Sequence, residues 1–348
     1  MKNIRNFIWP LIGIAAVILS CWLLYRELHT LSLHSVVDSL KAIPHHNYLM
    51  AIISTLAAYA ALAWYDRIAL LHLGVKNISL WYVSVTSFTT YALSHNIGAS
   101  VFSGAIVRYR AYSVKGLSAT QIAILVGLCS FTFALGVIIL AGVVLIIYPH
   151  VLIEIVGKLS EKMGGGSFFT KLYSWFPSLE SFQVTDRTLF FVGVFLLLLV
   201  ALYALGSLTG MRPLQIRSFR LEYPRPAVML RQLIAGPLEL LGAAGIIYFA
   251  LPGESNPGFI VVLAVFLASF SAGLLSHAPG GLGVFELIFT ACLSNIPQQD
   301  VIAAVLVFRL LYLLLPFALS IIVVVLHEKA SLTSIWKRRF HLKPNNQQ

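Results

Sequence analysis

A short motif occurs twice in this chain, and both copies interrupt stretches that are otherwise apolar. The run Leu93–Gly98 (LSHNIG) recurs as Leu275–Gly280 (LSHAPG), 182 residues later at each position, and the pair Ser87-Phe88 recurs as Ser269-Phe270 at the same offset. The chain therefore contains two related halves, each with one broken apolar segment. Paired breaks of this kind are typical of transporters that bind their substrate near the middle of the membrane.

The composition places the chain in a membrane. Hydrophobic residues make up 59% of it and charged residues only 11%, with a mean hydropathy of +0.87. This is more apolar surface than one soluble core can bury, so we expect a polytopic membrane protein. Lys and Arg (24) exceed Asp and Glu (13), but they gather beside apolar runs as the positive-inside rule requires, which argues against a nucleic-acid partner.

Continuous apolar segments predict six transmembrane helices, because about 20 apolar residues span a bilayer core of about 30 Å. The segments are 8–25, 48–73, 119–148, 188–208, 230–250 and 299–327. The first is too long for a signal peptide and is not followed by a small-residue cleavage site, so we expect it to be retained. Between the first two, Leu31–Ile43 has apolar residues at helical spacing and predicts an amphipathic helix at the interface, ended by Pro44.

Charge assigns the sides of the membrane. Basic residues precede the first span, crowd the loop 209–229 and follow the last span, which predicts cytoplasmic N- and C-termini. This works only if each interrupted segment, 79–113 and 258–296, begins and ends on one side, either as a re-entrant hairpin or as two short crossings. The first then opens to the cytoplasm and the second outward, so the two halves are inverted repeats.

The predicted fold is an all-α membrane domain with two inverted repeats, each a helix, a broken hairpin and a helix, plus extra spans. Its parts are the first span and interfacial helix (1–47), repeat one (48–148), an outer loop, connecting span and basic cytoplasmic loop (149–229), repeat two (230–327) and a basic cytoplasmic tail (328–348).

Ionisable residues at membrane depth mark candidate sites because they are costly there. Glu239 and Arg309 lie well inside their spans, and Glu286 follows the second break by one helical turn. One interpretation is a structural ion pair between Arg309 and either carboxylate. The other is that Arg309 binds a lipid phosphate while the carboxylates orient it or meet a cationic headgroup. Asp66 and Arg67, near the cytoplasmic end of their span, are either an interfacial anchor or a functional pair.

The breaks themselves favour anion binding. Gly98, Gly280 and Gly281 permit tight turns that expose backbone N–H groups at a helix N-terminus, a good phosphate site, and Asn96 lies beside them. His95 and His277 occupy equivalent positions as satisfied turn residues or, alternatively, as proton-coupling groups.

Two arginines end the first interrupted segment. Arg108 and Arg110 can receive an anionic headgroup, although positive-inside anchoring explains them equally well.

No enzyme or cofactor motif is present in the sequence. There is no H-E-x-x-H, G-x-S-x-G, Walker or G-x-G-x-x-G signature. The three cysteines, Cys21, Cys129 and Cys292, lie in apolar segments without metal-ligand or redox spacing. We therefore expect neither an enzyme nor a bound metal or cofactor.

Around the second break the sequence resembles a known family. Ser276–Glu286 (SHAPGGLGVFE), together with Ser94–Gly98, Arg108–Arg110 and Arg309–Tyr312 leading to Pro316, is similar to the membrane region of the multiple peptide resistance factor family, also called the lysyl-phosphatidylglycerol synthase transmembrane family. The resemblance covers roughly residues 48–327. It implies a membrane domain that moves aminoacylated phosphatidylglycerol between leaflets, whereas a separate domain makes that lipid.

The sequence ends at Gln348, so it is expected to lack the synthase domain and to resemble the stand-alone members of that family. Their lipid cannot be carried over from the two-domain proteins. We expect a flippase-like protein of the bacterial inner membrane that moves a phospholipid or lipid-linked molecule, with Arg108, Arg110 and Arg309 contacting phosphate. Two alternatives stay open: a scaffold for a lipid-modifying enzyme, and a membrane-embedded enzyme acting on a polyprenyl phosphate. The expected partners are membrane lipids, and oligomeric state is left open.

Overall fold

The chain folds into a bundle of helices in the computed structural model, which describes residues 33–97, 100–162, 185–210, 214–216, 219–221, 224–275 and 281–325. These residues form eleven helices: α1 (Leu33–Ala42), α2 (His45–His72), α3 (Leu80–Ile97), α4 (Ser100–Ser113), α5 (Ala119–Ile147), α6 (His150–Lys162), α7 (Asp186–Leu208), α8 (Pro226–Ala250), α9 (Phe259–Leu275), α10 (Val284–Cys292) and α11 (Gln298–Val325). They confirm the helical fold class.

Five of these helices, α2, α5, α7, α8 and α11, are long and apolar enough to cross a membrane, with 23 to 29 residues each. They coincide with five of the six predicted spans and establish a multi-pass membrane protein. The sixth predicted span, 8–25, lies outside the described residues.

The order of the elements repeats along the chain. Helix α2, the pair α3 and α4, and helix α5 are followed by α8, the pair α9 and α10, and α11, with starting residues close to the offset of 182 that the motif shows. We call α3 with α4 the first hairpin and α9 with α10 the second hairpin. The sequence duplication is therefore also a duplication of the order helix, hairpin, helix.

Helix α8 lies at the centre of the bundle. Of its most apolar stretch 61% is buried, against 17% for α7, and it packs on α2, α5, α7, α9 and α11. Small residues make this packing close: a Cβ atom on Gly242 would lie 2.8 Å from the carbonyl oxygen of Ser54 on α2. The two first helices of the repeats thus meet almost backbone to backbone, as membrane helices with small interface residues do.

The crossing of α8 with α5 is closer still. A Cβ atom on Gly136 would lie 2.5 Å from the carbonyl carbon of Gly236, and one on Gly236 would lie 2.6 Å from the carbonyl oxygen of Thr132. Beside this crossing, the buried Gln232 donates to the hydroxyl of Thr132 at 3.0 Å and accepts from the hydroxyl of Tyr203 on α7 at 2.7 Å. The side-chain amide therefore joins three spans.

Two short elements differ from the expectation for 149–229. The segment predicted as an outer loop begins with α6, which buries Val151 and Ile155 and whose Lys158 donates to the carbonyl oxygen of Cys292 at 3.0 Å. The loop after α7 contains a two-stranded antiparallel hairpin, β1 (Leu214–Ile216) and β2 (Phe219–Leu221), so the described chain is not purely helical. Alternating apolar and polar residues in that loop favour strands over helix.

The amphipathic segment predicted before Pro44 forms α1. Its Val36 is buried against Ile302 and Ala303, so α1 packs on α11 through its apolar side. Its position at the membrane interface stays a prediction.

The glycine crossing generates a stability prediction. We expect Gly136→Ala to lower the free energy of unfolding by about 1–3 kcal/mol, because the added methyl group overpacks the contact with Gly236. Gly127→Ala on the same helix is the matched control, since its Cβ would meet no atom within 4 Å. It should be neutral or slightly stabilising. Denaturant unfolding in mixed micelles measures both, and equal effects of the two variants would contradict the packing described for Gly136.

Candidate functional site

Asp66 and Arg108 form a buried ion pair between α2 and the first hairpin. The Arg108 Nη2 and Nε atoms donate to Asp66 Oδ1 at 2.6 and 3.1 Å, and Nε also lies 3.2 Å from Oδ2. The two residues are 0% and 4% exposed. The pair therefore fixes the hairpin to the long helix before it.

The carboxylate of Asp66 has two further donors. The hydroxyl of Tyr112, one turn after Arg108 on α4, donates to Oδ2 at 2.9 Å, and the Cys129 thiol of α5 donates to Oδ1 at 3.4 Å. The Arg108 guanidinium also lies 4.8 Å from the ring centroid of Tyr91 on α3, a cation–π distance. Donors from two helices, α4 and α5, thus satisfy one buried carboxylate.

Glu286 and Arg309 form the second buried ion pair, between the second hairpin and α11. Arg309 Nε donates to Glu286 Oε1 at 2.5 Å and its Nη2 contacts the same oxygen. The other oxygen of Glu286 accepts from the backbone N–H of Gly283 at 2.9 Å, so this residue also caps its own helix. Gly281 and Gly283 have φ of +65° and +80°, which L side chains rarely adopt, so the turn into α10 requires glycine.

Arg309 begins a π-helical turn, Arg309–Leu314, within α11. Pro316 has no backbone N–H, so it cannot bond to the carbonyl oxygen of Tyr312 four residues earlier. That oxygen instead accepts from the Tyr59 hydroxyl of α2 at 2.9 Å. The neighbouring carbonyl of Leu313 accepts from the Asn96 side chain of α3 at 3.1 Å. Side chains of repeat one therefore satisfy the irregular backbone of repeat two, as a hydrocarbon environment demands.

Glu239 lies beside this turn. It is 1% exposed, and its Oε1 atom accepts from the Tyr312 hydroxyl at 2.5 Å. Its Oε2 atom has no hydrogen-bond partner among the residues that the structure describes. His95 stacks on the same Tyr312 ring, with centroids 5.6 Å apart and planes at 21°, and its Nδ1 atom is buried and equally without a partner in the described part of the chain.

The structure brings together some of the residues singled out from the sequence. Of the two carboxylates considered for Arg309, Glu286 is the partner and Glu239 is not. Asp66 pairs with Arg108 and not with Arg67, whose guanidinium donates to the carbonyl oxygen of Ile78 at 3.4 Å.

The remaining predicted residues are in three situations. Asn96 bonds the carbonyl oxygens of Ala92 and Leu313 at 2.8 and 3.1 Å, and Arg110 is exposed at the end of α4. Gly98, Gly280 and His277 lie outside the described residues. Phosphate contact by any of these residues stays a prediction.

Three tyrosines of this interior were not expected from the sequence. Tyr112 follows Arg108 by four residues, which places both on one helix face, and Tyr312 precedes Pro316 by four, where a carbonyl loses its donor. These spacings were available signals. No spacing indicated Tyr59, because its partner is 253 residues away.

The first ion pair generates a second prediction. Asp66→Ala leaves Arg108 buried without a counter-ion and should lower the free energy of unfolding by about 3–5 kcal/mol. The double variant Asp66→Ala with Arg108→Met should lose less than the sum of the single effects, because the two residues are coupled. Lys76→Met removes an exposed cation and should change stability by under about 0.5 kcal/mol. Additive losses at Asp66 and Arg108, measured by denaturant unfolding, would contradict the pairing.

Three relatives show what the chain is similar to. It is 27% identical over 316 residues to uncharacterized protein slr0712 of Synechocystis, covering 90% of both chains, and 29% identical over 284 residues to inner membrane protein YbhN of Escherichia coli, covering 80% of both. It is also 23% identical over 328 residues to phosphatidylglycerol lysyltransferase of Staphylococcus aureus, covering 92% of this chain and 34% of that protein. No family model matches the chain. These matches confirm the resemblance found around the second break: the chain is related to YbhN and to part of the phosphatidylglycerol lysyltransferases.

Proposed function

We propose that this protein moves a phospholipid or lipid-linked molecule between the leaflets of the bacterial inner membrane without changing it chemically. This proposal rests mainly on the polar interior at Tyr312, where the two repeats meet. In that interior, buried polar atoms of His95 and Glu239 have no hydrogen-bond partner among the described residues. A group that must cross the membrane with its charge needs such an interior, because hydrocarbon alone excludes it.

Each hairpin supplies one charged residue of this interior. The first hairpin contributes Arg108 to a carboxylate on α2, and the second contributes Glu286 to an arginine on α11. A lipid phosphate presents two non-bridging oxygens, and a carboxylate also presents two oxygens. Arginine binds both groups in a bidentate way. In our proposal a phosphate takes the place of Asp66 or Glu286 on the arginine during transport.

Exposed Arg110 extends this proposal to the surface. It lies two residues after Arg108 on α4, so the first hairpin carries one buried and one exposed arginine. We infer that Arg110 attracts an anionic headgroup before it reaches the interior.

The relatives support the choice of a lipid and of the membrane. The name of the Staphylococcus aureus relative states that it acts on phosphatidylglycerol, and that of the Escherichia coli relative places it in the inner membrane. The similarity to the former includes both hairpins but only about a third of that protein's length.

An inverted arrangement of the repeats is part of the proposal and has a direct test. We expect Lys76→Cys, before the first hairpin, to react with membrane-impermeant maleimide only from the cytoplasmic side. Ser255→Cys, before the second hairpin, should react only from outside, and both positions are exposed. The parent protein is the control for its own cysteines, two of which, Cys129 and Cys292, are buried. Labelling of both new cysteines from one side would contradict the inversion.

A scaffold for a lipid-modifying enzyme is the second candidate. It is favoured by the mutual pairing of Asp66 with Arg108 and Glu286 with Arg309, since paired charges can simply fix helix positions. Under this alternative the interior stays closed and the protein itself moves no lipid.

The lipid-movement assay separates the two candidates. Purified protein is reconstituted with fluorescent phosphatidylglycerol, phosphatidylethanolamine or polyprenyl phosphate, and dithionite quenching measures exchange between leaflets. We expect wild type to accelerate exchange of at least one lipid. Arg309→Lys should slow it about tenfold or more because lysine loses the bidentate contact with phosphate, a charge-assisted contact of about 1.5–3 kcal/mol. Glu286→Gln should slow it similarly because it removes the carboxylate that displaces the phosphate from Arg309 at the end of transport.

Glu254→Gln is the matched control, because it makes the same chemical change at an exposed position between α8 and α9. It should retain wild-type exchange. Folded wild-type protein that moves none of the three lipids would overturn the transport proposal in favour of the scaffold.

A further inference from the structure

Glu239 is a buried carboxyl group whose charge nothing in the described chain balances. It is 1% exposed in the most buried span, its Oε1 atom accepts from Tyr312, and its Oε2 atom has no partner among the described residues. The neighbouring arginines do not serve it, because Arg108 pairs with Asp66 and Arg309 pairs with Glu286.

The groups that face this carboxyl are neutral. Helix α11 contributes Tyr312, and α2 contributes Tyr59 and Tyr65, whose hydroxyls donate to the carbonyl oxygens of Tyr312 and Gly236. From α3, His95 stacks on the face of Tyr312 and lacks a partner for Nδ1 in the described residues.

The other helices packed on α8 bring no charge to Glu239 in the described part of the chain. The Cys129 thiol of α5 donates to Asp66, and the Tyr203 hydroxyl of α7 donates to Gln232. Helix α9 packs on α8, and its large buried side chains, such as Val262 and Phe266, are apolar.

A single carboxylate in such surroundings is costly. An ionised group removed from water without a counter-ion loses several kcal/mol or more, whereas the protonated acid is neutral and needs only hydrogen bonds. The Oε2 atom accepts no hydrogen bond from the described residues, so no donor at that oxygen stabilises the ionised form. Ionisation therefore requires water or a cation to reach the site, which a change of conformation during transport would provide.

We propose that Glu239 is a proton-binding site that couples lipid movement to the proton gradient. The inference rests on the proposed lipid movement. The carboxylic acid gives its proton to water when the interior opens to one side of the membrane, and the carboxylate takes a proton from water when it opens to the other. No other bond changes, so each cycle carries one proton.

Infrared spectroscopy tests protonation directly, without any transport. Wild type at neutral pH should show a carboxylic-acid C=O band that is absent in Glu239→Gln and retained in Glu254→Gln. Addition of sodium at constant pH should leave that band in place. A spectrum in which Glu239→Gln removes no acid band, or in which sodium removes it, overturns proton binding at this residue.

A pH gradient imposed across proteoliposomes tests the coupling. Wild type should redistribute fluorescent lipid between leaflets in the direction that the gradient sets, and Glu239→Gln should lose this response, with folding checked by thermal unfolding. Glu239→Asp keeps a titratable group and should keep part of the response. Wild-type lipid movement that ignores the gradient overturns the coupling and leaves transport standing, whereas no lipid movement at all overturns both.

Discussion

Backbone polar groups in hydrocarbon must be satisfied by the protein itself, and this requirement governs the whole arrangement. Helices that are short or irregular at membrane depth must be surrounded by other helices. Both hairpins are enclosed in this way. The first hairpin packs against α2, α5 and α11. In the second hairpin, α9 packs against α8, and α10 packs against α6 and α11. The π-helical turn Arg309–Leu314 obeys this requirement too, since Tyr59 and Asn96 bond its carbonyl oxygens. Long spans with glycine contacts provide the enclosure.

Buried charged side chains must also be satisfied by the protein itself. Each hairpin is joined to a long helix by one buried ion pair, Asp66 with Arg108 and Glu286 with Arg309, and such pairs fix geometry more than they add stability. They also hold arginine in an interior where a phosphate can compete for it. Glu239 differs from the other two carboxylates because its partner is a tyrosine hydroxyl and not a cation. The interior therefore combines two carboxylates that arginines balance with one carboxyl group that has no cationic partner among the described residues.

The sequence predicts the spans and the duplicated order well, because both depend on local patterns. Apolar length identified five described helices, and the offset between Leu93–Gly98 and Leu275–Gly280 anticipated the second hairpin. The pairing of charges was less accessible. Arg309 had two possible carboxylates within reach of its depth, and only the rotation of α8 and α10 about their axes selects Glu286. The span α8 is apolar around most of its circumference, so no amphipathic face indicates its rotation.

The features that the sequence did not predict depend on contacts between elements that are distant in the chain. Asp66 meets Arg108 across 42 residues, and the sequence suggested only its neighbour Arg67. The balanced charges of 149–187 predict a loop, whereas the first part of this segment forms α6, whose apolar face packs on the second hairpin.

Photo-crosslinking of a phospholipid in proteoliposomes tests most directly whether the interior handles lipid. Phosphatidylglycerol with a diazirine in its headgroup is irradiated with the protein, and mass spectrometry maps the modified residues. We expect adducts around Tyr312, on α3, α8 and α11, that excess unlabelled lipid suppresses. Adducts confined to the exposed surface of α7, at residues such as Phe191 and Leu202, would contradict lipid handling by the interior.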